Sequence, residues 1–225
     1  MIQISNLFKT YKVGTVETPA LTDVSMEVDK GEFVTVVGKS GCGKSTLLNI
    51  LGLMDTFDGG EYLFNGDSIK SMNAIQRAKY RNATIGFVFQ MFNLMDSLTA
   101  LENVEVPLGY AGVGARERKK IAAGLLESVG LGHKLKSFPR HMSGGEQQRV
   151  SIARSLANSP ELILADEPTG NLDEKNSDQI MKLLARLHEG GATIIMVTHD
   201  PALALYGQKI IRMNDGKITQ IELNS

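Results

Sequence analysis

Phe33-Val34-Thr35-Val36-Val37 runs without a break into Gly38-Lys39-Ser40-Gly41-Cys42-Gly43-Lys44-Ser45-Thr46, and the fold is read outward from that junction. The first five residues are the unbroken β-rich run of a strand covered on both faces. The next eight, Gly38 to Ser45, fit the spacing G-x-x-x-x-G-K-[ST], and Thr46 to Leu53 then turns helical. The chemistry follows from the spacing. Glycines let successive backbone N–H groups curl toward phosphate oxygens at the positive end of a helix, Lys44 reaches the β- and γ-phosphates, and Ser45 offers a hydroxyl to Mg²⁺. Cys42, the single cysteine, stands in this loop beside Lys44, a setting that favours a reactive thiol. A small buried residue is the alternative.

Two more runs share the strand-then-polar pattern. Leu162-Ile163-Leu164-Ala165 ends in Asp166-Glu167, and Thr193 to Val197 ends in Thr198-His199-Asp200-Pro201. Ligands of open α/β sheets sit beyond the carboxyl ends of strands, so these side chains belong with the phosphate loop. Asp166 holds Mg²⁺, directly or through water, and Glu167 polarises the attacking water as general base. Asp200 and Pro201 read as the N-cap and first position of a helix, which leaves His199 at the strand mouth to contact a γ-phosphate. A fourth motif, Met142-Ser143-Gly144-Gly145-Glu146-Gln147-Gln148-Arg149, opens a helix. Ser143 and Glu146 are spaced as a capping box, and the glycines beside them make a second helix N-terminus suited to an anion.

Further strands are expected near Ile2–Phe8, Val24–Val28, Glu61–Phe64, Ile85–Phe89, Lys209–Met213 and Lys217–Ile221. Between about Met91 and Ser159 strand patterning disappears, and helices are expected at Ala100–Val106, Arg116–Val129 and Gly144–Ala157. The fold is therefore α/β, a mostly parallel sheet with flanking helices. It is read as a single domain over 1–225, with its core in 1–90 and 160–225 and a helical subdomain at about 91–159. The 225 residues suffice for one substantial core. A net charge of −1 gives no electrostatic case for nucleic acid or for a polybasic membrane contact. No apolar run approaches the roughly 20 residues that span a bilayer, and Met1 leads into a polar strand rather than a signal peptide, so the expected location is cytoplasmic with no direct membrane insertion.

In their order these motifs resemble the nucleotide-binding subunits of ABC transporters over essentially the whole chain. The resemblance implies a P-loop NTPase core with an N-terminal antiparallel β portion and an inserted helical subdomain, and ATP and Mg²⁺ as cofactors. Gly38 to Thr46 matches the family's phosphate loop, Gln90 the glutamine that senses Mg²⁺ and the transport partner, and Ser143-Gly144-Gly145-Glu146-Gln147 the family signature. Asp166 and Glu167 match the acidic pair, Asn171-Leu172-Asp173 the loop that crosses the dimer interface, and His199 the switch histidine. Tyr11 stands where the family places an aromatic under adenine. The implied working form is a head-to-tail homodimer in which Ser143 and Gly145 touch the γ-phosphate bound by the other subunit. Integral membrane permease subunits are the implied partners, holding the chain at the inner face of the cell membrane.

The Tyr11–Leu21 segment, Asn49 to Asp55, Leu98 to Val104 and Ala165 to Asp173 resemble the lipoprotein-release and macrolide-exporter branch. Met142 replaces the commonest Leu of the signature and Glu146 the commonest Gln, which removes a side-chain amide donor. The stretch from Gln90 to Leu98, apolar at Met91, Phe92, Leu94 and Met95, is the expected permease-docking groove, with a packed core cluster as the alternative. A cell-division-type regulator built on the same engine is the alternative. A soluble protein of DNA repair or translation is disfavoured, since the chain has neither a coiled coil nor a second cassette.

Overall fold

The computed structural model describes residues 1–224. Its elements are β1 (Ile2–Val13), β2 (Val16–Val28), β3 (Phe33–Val37), α1 (Lys44–Leu51), β4 (Gly59–Phe64), β5 (Asp67–Ser68), α2 (Ala74–Thr84), β6 (Ile85–Val88) and α3 (Ala100–Tyr110). They continue with α4 (Ala115–Ser128), α5 (Gly144–Ser155), β7 (Leu162–Asp166), α6 (Glu174–Glu189), β8 (Thr193–Thr198), α7 (Pro201–Ala204), β9 (Lys209–Asn214) and β10 (Lys217–Leu223). The chain divides into two compact units, Met1–Lys79 with 191–224, and Tyr80–Gly190.

In the first unit β3 lies between β8 and β9, parallel to both, and β10 adds antiparallel to β9. All of β3 and β8 is buried, as their unbroken Val/Ile runs require. A separate antiparallel sheet has the order β2-β1-β4-β5. On β1 Ile2, Ile4, Leu7 and Lys9 are buried while their neighbours face outward. β1 and β2 extend well past the expected Phe8 and start well before the expected Val24. The extension is a two-stranded ribbon from Lys9↔Leu21 to Val13↔Val16, with Gly14 at φ 62 in the turn. Its residues Tyr11–Pro19 are all exposed, so no alternation of burial marks the ribbon in the sequence.

In the second unit β6 and β7 pair in parallel, and α5 packs against α3, α4, α6 and β6. The strand-free stretch expected between about Met91 and Ser159 lies wholly inside this unit. α5 is accordingly buried on several sides, including the polar Gln148 and Ser151. α6 shows the usual one-sided stripe, burying Ile180, Met181, Leu183 and Leu184. Each such side chain contributes about 1.5–3 kcal/mol on burial.

Two expectations need correction. The helix expected to stop at Val106 continues through Pro107 to Tyr110. Pro107 cannot donate to the turn before it, but its carbonyl accepts from the side chains of Asn82 and Asn158 as well as from the Ala111 N–H, which secures the helix end. The helix α2 lies in a stretch for which no element was expected. It buries no residue, so it carries no apolar stripe by which to recognise it.

Candidate functional site

The register of β3 against β8 sets Val37 beside Thr198, so Gly38 and His199 leave the same edge of the sheet side by side. Gly38, Lys39 and His199 line one cavity of about 510 Å³ together with Pro201, Arg212 and Asn214. His199 is exposed, and Asp200 caps α7 by accepting from the Ala202 N–H at 2.8 Å, with Pro201 at the first helical position.

The Gly38–Ser45 loop is shaped as a cradle. Gly41 has φ 80 and Gly43 φ 99, a left-handed backbone that other residues adopt only under strain. Gly43 is the N-cap of α1 and provides no side-chain cap, the kind of helix start that suits an anion. A Cβ at Gly43 would stand 2.5 Å from the Ala20 carbonyl oxygen, so only glycine fits. Lys44 is buried, and its Nζ donates to the carbonyls of Gly38 (2.8 Å) and Lys39 (2.9 Å), which points the ammonium along the loop. Ser40 and Ser45 are exposed and Thr46 is half-buried. Cys42 is buried, with its Sγ packed under Gly38 and 4.0 Å from the Lys44 ammonium, which favours the small-buried-residue alternative over an open, reactive thiol.

Tyr11 is held rather than loose. Its hydroxyl donates to Asp55 Oδ2 at 2.7 Å and also bonds Thr46, at the start of the helix that follows the cradle. The Lys9 ammonium lies 4.9 Å from the ring centroid and pairs with Asp55 Oδ1 at 2.9 Å. Burial first, then the bond to Asp55, pushes the Tyr11 hydroxyl above its ordinary pKa. Burial works the other way on Asp55, but the bonds from Lys9 and Tyr11 hold its carboxyl below the usual range.

The second unit brings the remaining candidates together. Val88 pairs with Ala165, so Phe89-Gln90 and Asp166-Glu167 leave the same end of the β6–β7 pair. Glu167 has φ 42, a conformation that costs a non-glycine residue on the order of 1–3 kcal/mol and clusters at functional sites. The Gln90 side chain lies against Gly170, where an added Cβ would come within 2.7 Å of Nε2. Asn171 Nδ2 donates to the Gln90 carbonyl at 3.0 Å. Asp173 caps α6, accepting from the Asn176 N–H and side-chain amide, both at 2.8 Å, and these bonds hold its carboxyl below the ordinary range.

The signature segment has the expected cap. Glu146 Oε2 accepts from the Ser143 N–H at 2.9 Å, and Ser143 Oγ accepts from the Glu146 N–H at 3.3 Å. Lys134 lies 3.3 Å from the other carboxylate oxygen, so both contacts of Glu146 lie within the chain itself. Gly145 is packed on Asn176, where a Cβ would meet Oδ1 at 2.1 Å, while Ser143 stays exposed.

Three polar residues of this unit were not singled out from the sequence. Asn103 is fully buried and exchanges bonds with the backbone of Met95, Leu98 and Thr99. Gln148 and Arg154 of α5 bond the backbone on either side of Gln90. A polar residue on the packed side of a helix is the one signal that could have marked them, and it needs the helix's packing to be known first.

The description "ABC transporter" from a comparison with protein families matches residues 21–170. An uncharacterised ABC transporter ATP-binding protein of Methanocaldococcus jannaschii is 50% identical over 98% of this chain and 99% of that protein. The macrolide export ATP-binding/permease protein MacB of Syntrophobacter fumaroxidans is 46% identical over 97% of this chain, which spans 31% of its length. A solved ATP-binding cassette, dimeric and in a post-hydrolysis state bound to ADP and Pi, superposes with a TM-score of 0.93 at 43% identity, covering 100% of this chain and 99% of that one.

Proposed function

Given that this chain belongs to the ABC transporter family and is an ATPase, we propose that it works as a head-to-tail homodimer that closes on two ATP molecules and drives integral membrane permease subunits. The observation that carries the reading is the cradle at the start of α1, with Gly41 and Gly43 in left-handed backbone and Lys44 Nζ laid along the loop. That arrangement suits the β- and γ-phosphates and little else.

The roles follow from the chemistry of each side chain. Lys44 and the loop N–H groups hold the phosphates, Tyr11 stacks under the adenine, and His199 contacts the γ-phosphate. Glu167 takes a proton from the attacking water. Ser45, Asp166 and Gln90 are the residues that would hold Mg²⁺, which when bound would offset the charge on the phosphate oxygens; one or two protein oxygens are what this ion ordinarily takes when phosphates supply others. Ser143 and Gly145 of one protomer, with Asp173 nearby in the interface loop, complete the site of the other. Likeness to a dimeric cassette supports the dimer, and likeness to a macrolide export ATP-binding/permease protein supports a permease partner and an export or lipoprotein-release task. The chain then acts at the cytoplasmic face of the membrane, tethered by that partner.

Glu167→Gln tests the reading. The amide keeps shape and removes the base, so turnover should fall by about 10²- to 10⁴-fold, ATP should stay bound, and dimer should accumulate on size exclusion. Near wild-type turnover in the purified variant would sink the assignment. Copurification with a membrane protein, followed by transport in reconstituted vesicles, separates export from division signalling, in which hydrolysis moves no cargo.

A further inference from the structure

Helix α5 begins at the signature segment and lies buried among α3, α4, α6 and β6. Two of its polar side chains do not serve the helix itself. Gln148, 0% exposed, donates from Nε2 to the Phe89 carbonyl at 3.2 Å and to the Pro168 carbonyl at 2.6 Å. Phe89 precedes Gln90 and Pro168 follows Glu167. Arg154, two turns further on, donates to the carbonyls of Phe92 at 2.9 Å and Asn93 at 2.5 Å.

The orientation of Gln148 is dictated by its surroundings. Turning the amide over would set Oε1 against two carbonyl oxygens, so the amine must face them. The consequence is that Oε1 is buried without a hydrogen-bond partner, the only such side-chain atom among the described residues. A leucine would fill this place without an unpaired Oε1 but would leave the Phe89 and Pro168 carbonyls without this donor, so what glutamine adds over packing is its hold on those two carbonyls. Arg154 raises the same question. Burial lowers its pKa to about 10, and it draws on backbone carbonyls and the Ser151 hydroxyl rather than a carboxylate. The two carbonyls it holds belong to the consecutive left-handed residues Phe92 (φ 60) and Asn93 (φ 48). A strained turn persists only where its surroundings hold it, and here the guanidinium does so.

We propose that Gln148 and Arg154 are positioning residues that fasten the Phe89–Asn93 loop to α5, so that Gln90, the exposed Met91 and the Ser143 loop move as one piece. The proposal rests on the reading of Gln90 and Ser143 given above. In it, force received at Met91 reaches Ser143 through side chains that touch neither nucleotide nor partner. Gln148, bonded to Phe89 on one side and Pro168 on the other, also ties the backbone beside Glu167 to this piece.

Gln148→Leu, which matches the volume and removes both donors, tests it in the purified full chain. Turnover should fall about tenfold with ATP affinity within twofold of wild type, out of proportion to the modest drop in melting temperature that follows from leaving the Phe89 and Pro168 carbonyls without this donor. Amide exchange over 91–95 should speed up several-fold while exchange in β3 and β8 stays unchanged. Arg154→Lys, keeping charge and losing the fork, should give a smaller effect of the same kind, and the two changes combined should be less than additive, since both loosen one loop. Gln148→Met replaces Gln148→Leu if the latter fails to fold. Unchanged turnover and exchange in a folded Gln148 variant would overturn the proposal, as would losses of activity that simply track losses of melting temperature. Gln90→Ala serves as the control: if it leaves hydrolysis unaltered, the functional reading of the loop has failed, whereas a damaging Gln90→Ala with a silent Gln148→Leu rejects only the fastening role.

Discussion

Replacing Glu146 should separate the helix cap from the chemistry. The carboxylate makes two contacts, accepting from the Ser143 N–H at 2.9 Å and pairing with Lys134 at 3.3 Å. Glu146→Gln keeps an oxygen for the cap and loses the ion pair, which is partly exposed and worth about 0.2–1 kcal/mol. Glu146→Ala loses both, adding about 1 kcal/mol for the cap. In a chain of this size 1 kcal/mol moves the melting temperature by about 2–4 °C, so the Gln variant should lose no more than about 4 °C and the Ala variant about 2–8 °C. The Ser143 N–H, then Lys134 against the opposing effect of burial, holds the Glu146 carboxyl below its ordinary range. A depressed carboxyl stabilises the fold above the unfolded value, about 4.3, and that contribution is lost as pH falls through the folded value. The gap between wild type and Glu146→Gln should therefore be full at neutral pH and close on acidification. Differential scanning calorimetry across pH, paired with steady-state ATPase assays, reads both. ATPase activity of Glu146→Gln should stay within a few-fold of wild type. Equal melting losses for Gln and Ala, or abolished hydrolysis in Glu146→Gln, would show that the carboxylate has a role beyond the cap.

Ser143→Arg should leave monomeric ATP binding intact while preventing ATP-induced dimerisation, read by size exclusion in the Glu167→Gln background; a dimer that still forms would place Ser143 outside the interface. Gly43→Ala should destabilise more than Gly41→Ala, since both impose left-handed strain of about 1–3 kcal/mol but only the first drives a Cβ to 2.5 Å from the Ala20 carbonyl. Equal melting temperatures would contradict that geometry. Cys42, buried under Gly38, should react with maleimide only slowly and more slowly still with MgATP, and Cys42→Ser should stay active. Fast labelling indifferent to nucleotide would undermine the described loop.

Much of this molecule is legible in local sequence. The strand-to-glycine junction at Val37-Gly38, the Ser143/Glu146 cap and the Asp200-Pro201 helix start are each encoded within a few residues, because backbone conformation and near-neighbour hydrogen bonds determine them. The unbroken apolar runs of β3, β7 and β8 likewise announce their burial. What local pattern could not convey depends on partners far along the chain. The ribbon continuing β1 and β2 has no buried face to give it a period, and α2 has no apolar stripe. Cys42 could lie open or covered until Gly38 was seen to pack on its sulfur. The bonds from Gln148 to Phe89 and Pro168, and from Arg154 to Phe92 and Asn93, span from 20 to 62 residues. Local spacing therefore determined which chemical groups this protein possesses, and tertiary packing decided which of them are held, buried or strained, because a buried donor takes its partner from whatever backbone the fold brings alongside it.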